Sequence, residues 1–414
     1  MNIKKQEYRY LRWLSVAIVG FILLVAGFNW LVNPFSIFDA PAISGFNANK
    51  PDYISYLRLT HAYRVERLKP ECVLLGTSRT GRGLSPAHPG LANLKCYNMA
   101  LPAMSIYEMR RHLQHIQAVQ AQKLVILAVE LRLFNPDSGA SDALFEKRLL
   151  VDADGHRQFK LFSAQLPDLA SSLVSMSALQ ASVTTLRKQS WLKDTLATDG
   201  YWAPLTNHAD HAKMFRAYTR KSAEQFAEIK PQEDVFRKNL EELRLLLRET
   251  YGLGTEVKLI IHPSHAWHWQ TLWFSGLWPR FETMKRQLLS INAEEAVRAG
   301  HKAYPIWDFS GSYGPALEAI PTNLHETMHW FWEPVHYKNA LGDRLLNQVM
   351  DVDINDAKTA NFGVRLDEAG LEEHLTRLRN LQKKYAENHP EQMTQIKALM
   401  AEATGSLTSA AVGP

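Results

Sequence analysis

The 414-residue chain has little cysteine: Cys72 and Cys96 are its only two, too few for a disulfide framework or a cysteine-rich zinc site. Both fall on expected strands, where a free Cys acts as a small core hydrophobe. A bridge between them is the alternative, and it requires specific Cα and Cβ geometry. An excess of one charge is also lacking, with 47 Lys and Arg against 42 Asp and Glu for a net +5, and the basic residues are scattered rather than striped. Nucleic acid is therefore not an expected partner. No internal repeat is visible, and no low-complexity segment beyond the small-residue terminus from Ala401. At 46% hydrophobic and 21% charged, the composition is that of a globular protein with a large core.

One long apolar run is present. Met1 to Arg12 carries Lys4, Lys5, Arg9 and Arg12 against the single acid Glu7, and Trp13 to Val32 is then apolar apart from Ser15 and Asn29. That run has about the 20 residues needed to cross a bilayer. Trp13 and Trp30 bracket it as interfacial anchors, and the basic flank stays cytoplasmic. A cleaved signal peptide is the rival reading; it would have a shorter apolar region and a small-x-small cleavage site, whereas this run continues into Asn33-Pro34-Phe35-Ser36. The expectation is a retained single-pass anchor with the main body outside the cytoplasm.

Residues 33–52, rich in Pro, Asn, Ala and Gly, read as a tether, and Tyr53 to Leu68 as a helix. Short apolar runs that stop at turn residues predict buried parallel strands at Cys72 to Leu75, Lys95 to Asn98, Leu124 to Val129, Glu256 to Ile261 and Tyr304 to Trp307. Ser105-Ile106-Tyr107-Glu108 has the form of a capping box, so a helix should start there, with Ile106, Met109, Leu113 and Ile116 as its apolar stripe. Strand, helix, strand recurring in the first half argues for a parallel sheet with right-handed crossovers. About 136–251 reads as a helical insertion, Phe281 to Ala299 as a helix closed by Gly300, and 353–414 as a helical tail.

Two stretches carry chemistry-bearing residues. Gly76-Thr77-Ser78-Arg79 follows the first strand, where open α/β sheets place ligands. Far downstream, Glu333-Pro334-Val335-His336 puts an acid and a base within one tight turn. A Ser nucleophile is weak until a neighbouring His takes its proton and an acid fixes the imidazole tautomer. Asp308, at a strand end, competes with Glu333 for the role of that acid. Arg79 and Arg82 are candidates either to orient an anionic substrate or to pair with acids such as Glu130. His262-Pro263-Ser264-His265-Ala266-Trp267-His268-Trp269 invites a zinc reading but has no His-Glu-x-x-His helix or partnered acid at a recognised spacing, so no metal is assigned. Trp267, Trp269, Trp273 and Trp278 are read as buried, with a sugar-stacking wall or membrane-facing rim as alternatives.

In these blocks the chain resembles the SGNH, or GDSL-like, hydrolase superfamily. The resemblance rests on Gly76-Thr77-Ser78 as the first block and on Glu333 and His336 as the last, with Glu where Asp is the usual acid. Asn98 to Ala103 is similar to the second block, with Ala103 at the family's Gly. It implies catalytic Ser78, His336 and Glu333, and an oxyanion hole from the backbone N–H groups of Ser78 and Ala103. The family's third-block Asn is matched by Asn135 only with a shift of about one residue. Arg79, Asn98 and His265 complete the candidate set as substrate-binding residues, and no cofactor is implied. Within the superfamily the chain looks like membrane-anchored bacterial proteins with a Gly-[Ser/Thr]-Ser-Arg first block, which are associated with O-acetylation of alginate and other exopolysaccharides. Its order, Ser first and acid and His last, departs from the alginate O-acetyltransferase-like arrangement.

The fold expected on this resemblance is α/β, a three-layer SGNH-like parallel sheet flanked by helices, with the helical insertion, the N-terminal transmembrane helix and the C-terminal helical tail. The expected organisation is a cytoplasmic tail 1–12, a transmembrane helix 13–32, a tether and leading helix 33–70, an SGNH-like domain 71–352 and a tail 353–414. The expected function is a periplasmic esterase or O-acyltransferase, anchored in a bacterial inner membrane, acting on an acylated glycan. A membrane acyltransferase is a possible partner. The alternative is a non-catalytic binding or scaffold protein on a degenerate SGNH fold in a polysaccharide-modification complex.

Overall fold

A six-stranded sheet positions everything that follows, in a computed structural model that describes residues 2–134, 145–160, 164–190, 192–206, 209–229, 233–323, 326–352 and 362–410. The chain runs through α1 (Asn2–Val32), α2 (Tyr53–Leu68), β1 (Cys72–Leu75), α3 (Ser78–Gly83), β2 (Cys96–Asn98), α4 (Ile106–Val119) and β3 (Leu124–Val129). It continues with α5 (Phe145–Arg148), α6 (Leu166–Val174), α7 (Met176–Arg187), β4 (Asp194–Leu196), β5 (Trp202–Pro204), α8 (His211–Ile229) and α9 (Glu233–Gly252). The last part holds β6 (Glu256–Ile261), α10 (Ala266–Phe274), α11 (Trp278–Ala299), β7 (Ile306–Asp308), α12 (Asn339–Val349), β8 (Val364–Leu366), α13 (Leu371–Asn388) and α14 (Pro390–Ala410).

The sheet order is β2-β1-β3-β6-β7-β8. The first five strands pair in parallel and β8 closes one edge antiparallel to β7. β1 and β3 are buried along their whole length, as strands covered by helices on both faces must be. Side chains alternate across the pleat, so Cys72, Leu74, Ile126, Ala128 and Ile260 share one core cluster with Leu341, Leu345 and Val349 of α12. α9 packs between α4 and α11, and α14 packs on α8 and α10. Ser105 caps α4, its Oγ accepting from Glu108 N at 3.1 Å.

Three features differ from the sequence reading. Cys72 and Cys96 form a disulfide, because the parallel register of β1 and β2 sets them directly opposite with Cα atoms 4.3 Å apart. β8 lies in the stretch read as purely helical; only Leu366 of its three residues is buried, which leaves no apolar run to announce it. The stretch 33–52 is packed rather than tethering: Phe35 and Ile37 join Tyr63 and Ala178 in a small core, and Thr60 and Arg64 donate to the carbonyls of Phe35 and Ser36.

Contacts divide the chain into two compact units, one of Met1–Leu68, Asp142–Leu196 and Ala203–Leu205, the other of Lys69–Ser141, Ala197–Trp202 and Thr206–Pro414. The stretch read as one insertion is thus shared between them, with α8 and α9 belonging to the sheet-bearing unit. In the first unit, residues Gln6–Val32 of α1 are long and apolar enough to span a membrane. The carbonyls at its end are satisfied by Asn47 Nδ2 on Leu31 O at 2.6 Å and Lys50 Nζ on Val32 O at 2.9 Å, a cation at the negative end of the helix dipole. Burial, with Arg64 nearby, lowers the Lys50 ammonium to about 8.

Candidate active site

β1, β3 and β6 are adjacent and parallel, so the residues after them meet at one end of the sheet: Ser78 after β1, Glu130 after β3, His262 after β6. This is the carboxyl end, where open α/β sheets bind ligands. Gly76 is needed there by close approach, since a Cβ would lie 2.1 Å from Thr80 Oγ1 and 2.9 Å from Ala128 Cβ. Ser78 opens α3 and is half-buried.

His336 comes from a loop tied at its base by the bridge between Phe331 and Tyr337 and by Trp332 N donating to His336 O at 3.0 Å. Within that loop the buried Glu333 carboxylate accepts from Val335 N at 2.8 Å and His336 N at 3.1 Å, and it also accepts from His336 Nδ1. With the Nδ1 proton held by Glu333, the Nε2 lone pair is free to face the nucleophile. It stands 2.7 Å from Ser78 Oγ, within reach for proton abstraction. The edge of the Tyr218 ring packs against the imidazole, centroids 5.7 Å apart. Next in chain, Tyr337 lies where a Cβ on Gly83 would come within 2.0 Å of its ring, so α3 and the His336 loop are fixed against each other.

Beneath Ser78 lies a buried polar network. Glu130 accepts from Thr77 Oγ1 at 2.8 Å and pairs with Arg79 Nε at 2.9 Å. Burial raises the Glu130 carboxyl, but the Arg79 guanidinium and the Thr77 hydroxyl outweigh it and hold the group below its ordinary range. Arg79 also reaches His268 Nε2 at 3.0 Å. His268 must accept there, which fits its displacement well below its ordinary value by burial first and by Arg79 and His336 next. His262 bonds Thr80 Oγ1 at 3.0 Å and Tyr337 OH at 2.9 Å. Burial pushes it down to about 3, so it is neutral at pH 7.

Ser78, His336 and Glu333 are thus brought together, while the three residues read as substrate-binding are engaged elsewhere. Arg79 is 7% exposed and holds Glu130 and His268, the second of its two sequence readings. Asn98 is fully buried; its Nδ2 donates to Thr80 O and Leu84 O at 2.9 and 2.8 Å, and its Oδ1 accepts from Ala100 N. It positions α3 rather than a substrate. His265 caps α10, accepting from Trp267 N, and its Nε2 donates to Glu318 O at 2.8 Å; it is 1% exposed. Asp308 faces Lys285 at 2.7 Å and His374 at 2.8 Å in the core, leaving Glu333 as the acid on His336.

Of the oxyanion candidates, Ala103 has φ +51°, in the left-handed region that favours Gly, and Asn135 lies outside the described residues. Trp267, Trp269 and Trp278 are buried, so this aromatic group builds core. Glu130, Tyr218, Tyr337 and His268 were not singled out as site residues from sequence. The signal for Glu130 was present, since it follows β3 as Ser78 follows β1, but strand adjacency is needed to use it. Comparison of the chain with protein-family models, curated proteins and solved structures finds no match.

Proposed function

We propose that the chain is a membrane-anchored, SGNH-like serine esterase or O-acyltransferase whose catalytic unit works outside the cytoplasm on an acylated glycan. The observation that carries the reading is the hydrogen-bonded series from Ser78 Oγ through both ring nitrogens of His336 to Glu333. In the first half-reaction Ser78 Oγ attacks the ester carbonyl as its proton passes to His336 Nε2. Glu333 stabilises the imidazolium, whose Nε2 proton then goes to the departing alkoxide. In the second, a water or sugar hydroxyl gives its proton to Nε2 and attacks the acyl-Ser78 carbonyl; the Oγ–acyl bond then breaks as the Nε2 proton returns to Ser78 Oγ, restoring both side chains. The backbone N–H groups of Ser78 and Ala103, with Asn135, are the proposed oxyanion donors.

Two observations of different kinds support the proposed compartment. Lys4, Lys5, Arg9 and Arg12 flank the amino side of the apolar run, which orients that side to the cytoplasm of a bacterial inner membrane. The Cys72–Cys96 disulfide suits an oxidising space such as the periplasm. A polysaccharide and a membrane acyltransferase are the partners proposed for such an enzyme.

The full chain in detergent micelles, given 4-nitrophenyl acetate, is expected to release nitrophenol, and Ser78→Ala to reduce the rate to background. Equal rates from the two proteins, both folded by circular dichroism, would count against catalysis and favour the binding role.

A further inference from the structure

α6 and α7 are unlike the other surface helices. From Leu169 to Leu186 the chain runs eighteen residues without a charged side chain. The two helices meet at a bend of 58° and together are as long and apolar as a membrane span broken in the middle. A surface helix of a soluble domain turns its polar face to water; on α6 only Ser172 is buried, and Leu166, Ala170 and Val174 are exposed. Met176, just past the bend, is 67% exposed.

Their packing fixes the depth. Both helices lie on α1, against its last turns, where Val25, Ala26 and Phe28 are half-buried and Asn29 and Val32 are buried. Asn29 is the one polar residue in this part of the apolar run, and both ends of its amide are engaged: Nδ2 donates to Leu173 O and Oδ1 accepts from Ser182 Oγ, each at 2.7 Å. Val25 to Val32 covers roughly 10 Å of helix rise, about a third of a hydrocarbon core of ~30 Å. With α1 read as a span whose carboxyl end faces outward, whatever packs on those turns sits at the depth of the outer leaflet. The uncharged run ends at Arg187 and Lys188, both exposed, where the chain would return to the headgroups.

We propose that α6 and α7 form a re-entrant elbow that dips into the outer leaflet beside α1 and is covered there by lipid acyl chains at Leu166, Ala170, Val174 and Met176. The inference rests on the reading of α1 as a membrane anchor. It adds that the first unit is seated in the bilayer at two places, so its orientation to the membrane is fixed rather than swinging on a single helix.

Both native cysteines are bonded to each other, so a single introduced Cys can be labelled under non-reducing conditions. The full chain would be reconstituted into phosphatidylethanolamine and phosphatidylglycerol vesicles carrying a nitrobenzoxadiazole dye at Val174→Cys, Met176→Cys, Ile22→Cys in α1 or Val297→Cys on α11. Dyes at 174, 176 and 22 are expected to be blue-shifted and quenched by nitroxide-bearing lipid but not by iodide, and dye at 297 the reverse. Iodide quenching at 174 and 176, with 22 still quenched by lipid nitroxide, would overturn the elbow and leave the anchor standing. Protection of 174 and 176 from both quenchers would also overturn it, in favour of a protein contact. Absence of lipid quenching at 22 would remove the anchor and the elbow with it.

Discussion

Ser78 and His336 are 258 positions apart in sequence and 2.7 Å apart at Oγ and Nε2; what aligns them is a set of hydrogen bonds that leaves each side chain one useful orientation. Glu333 holds the backbone N–H groups of Val335 and His336 and the Nδ1 proton. Glu333→Gln keeps an acceptor but presents an amide donor to the ring, favouring the wrong tautomer. Its turnover of an activated ester is expected to fall by roughly 10⁴-fold, with thermal unfolding little changed, as steady-state rates beside a melting curve would read. The convergence of Ser78, His336 and Glu333 was legible at the level of residues, because an acid and a base in one turn and a Ser at a strand end are local patterns. The roles of Arg79, Asn98 and His265 were not. Their partners, Glu130, the carbonyls of Thr80 and Leu84, and Glu318, are fixed by how strands and helices pack.

Elements carry the next set of consequences. The Cys72–Cys96 bridge joins β1 to β2 and closes a loop of 24 residues. Replacing both by Ser is expected to lower the unfolding free energy by about 3 kcal/mol on the loop-entropy account, measured by urea titration. α10 is capped by His265, which burial pushes down from 6.5 to about 4. Between those values the unfolded chain binds a proton the folded chain refuses, so stability is retained above about 6.5 and falls as the pH drops toward 4. His265→Asn retains a capping acceptor and does not titrate. Its stability should change less steeply with pH across that window, by on the order of 1 kcal/mol per pH unit, in urea titrations at pH 7 and 5. The central strands were legible as apolar runs bounded by turns, since burial on both faces writes itself into every residue. β8 was not, because an edge strand with Val364 half-buried and Arg365 exposed needs no such run, and its pairing to β7 is a product of the fold. Register is equally silent in sequence, which is why the disulfide stood there only as the alternative to two free cysteines.

For the whole molecule, the apolar run and its basic flank were legible from composition alone, because a bilayer imposes a length and a charge asymmetry on any span. The packing of residues 33–52, and the allocation of α8 and α9 to the sheet-bearing unit, came only with the fold. If α1 spans the membrane with its amino end in the cytoplasm, alkaline phosphatase fused after Pro414 is expected to be active in cells. A fused green fluorescent protein, which matures poorly after export in the unfolded state, should be dark; the opposite pair would reverse the orientation. Whether Ser78 is an activated nucleophile is read by mass analysis of the full chain, intact and as peptides, after treatment with a fluorophosphonate. A single adduct is expected on the peptide bearing Ser78, absent in Ser78→Ala and strongly slowed in His336→Ala. No adduct on the folded protein, or one that survives Ser78→Ala, would contradict an activated Ser78.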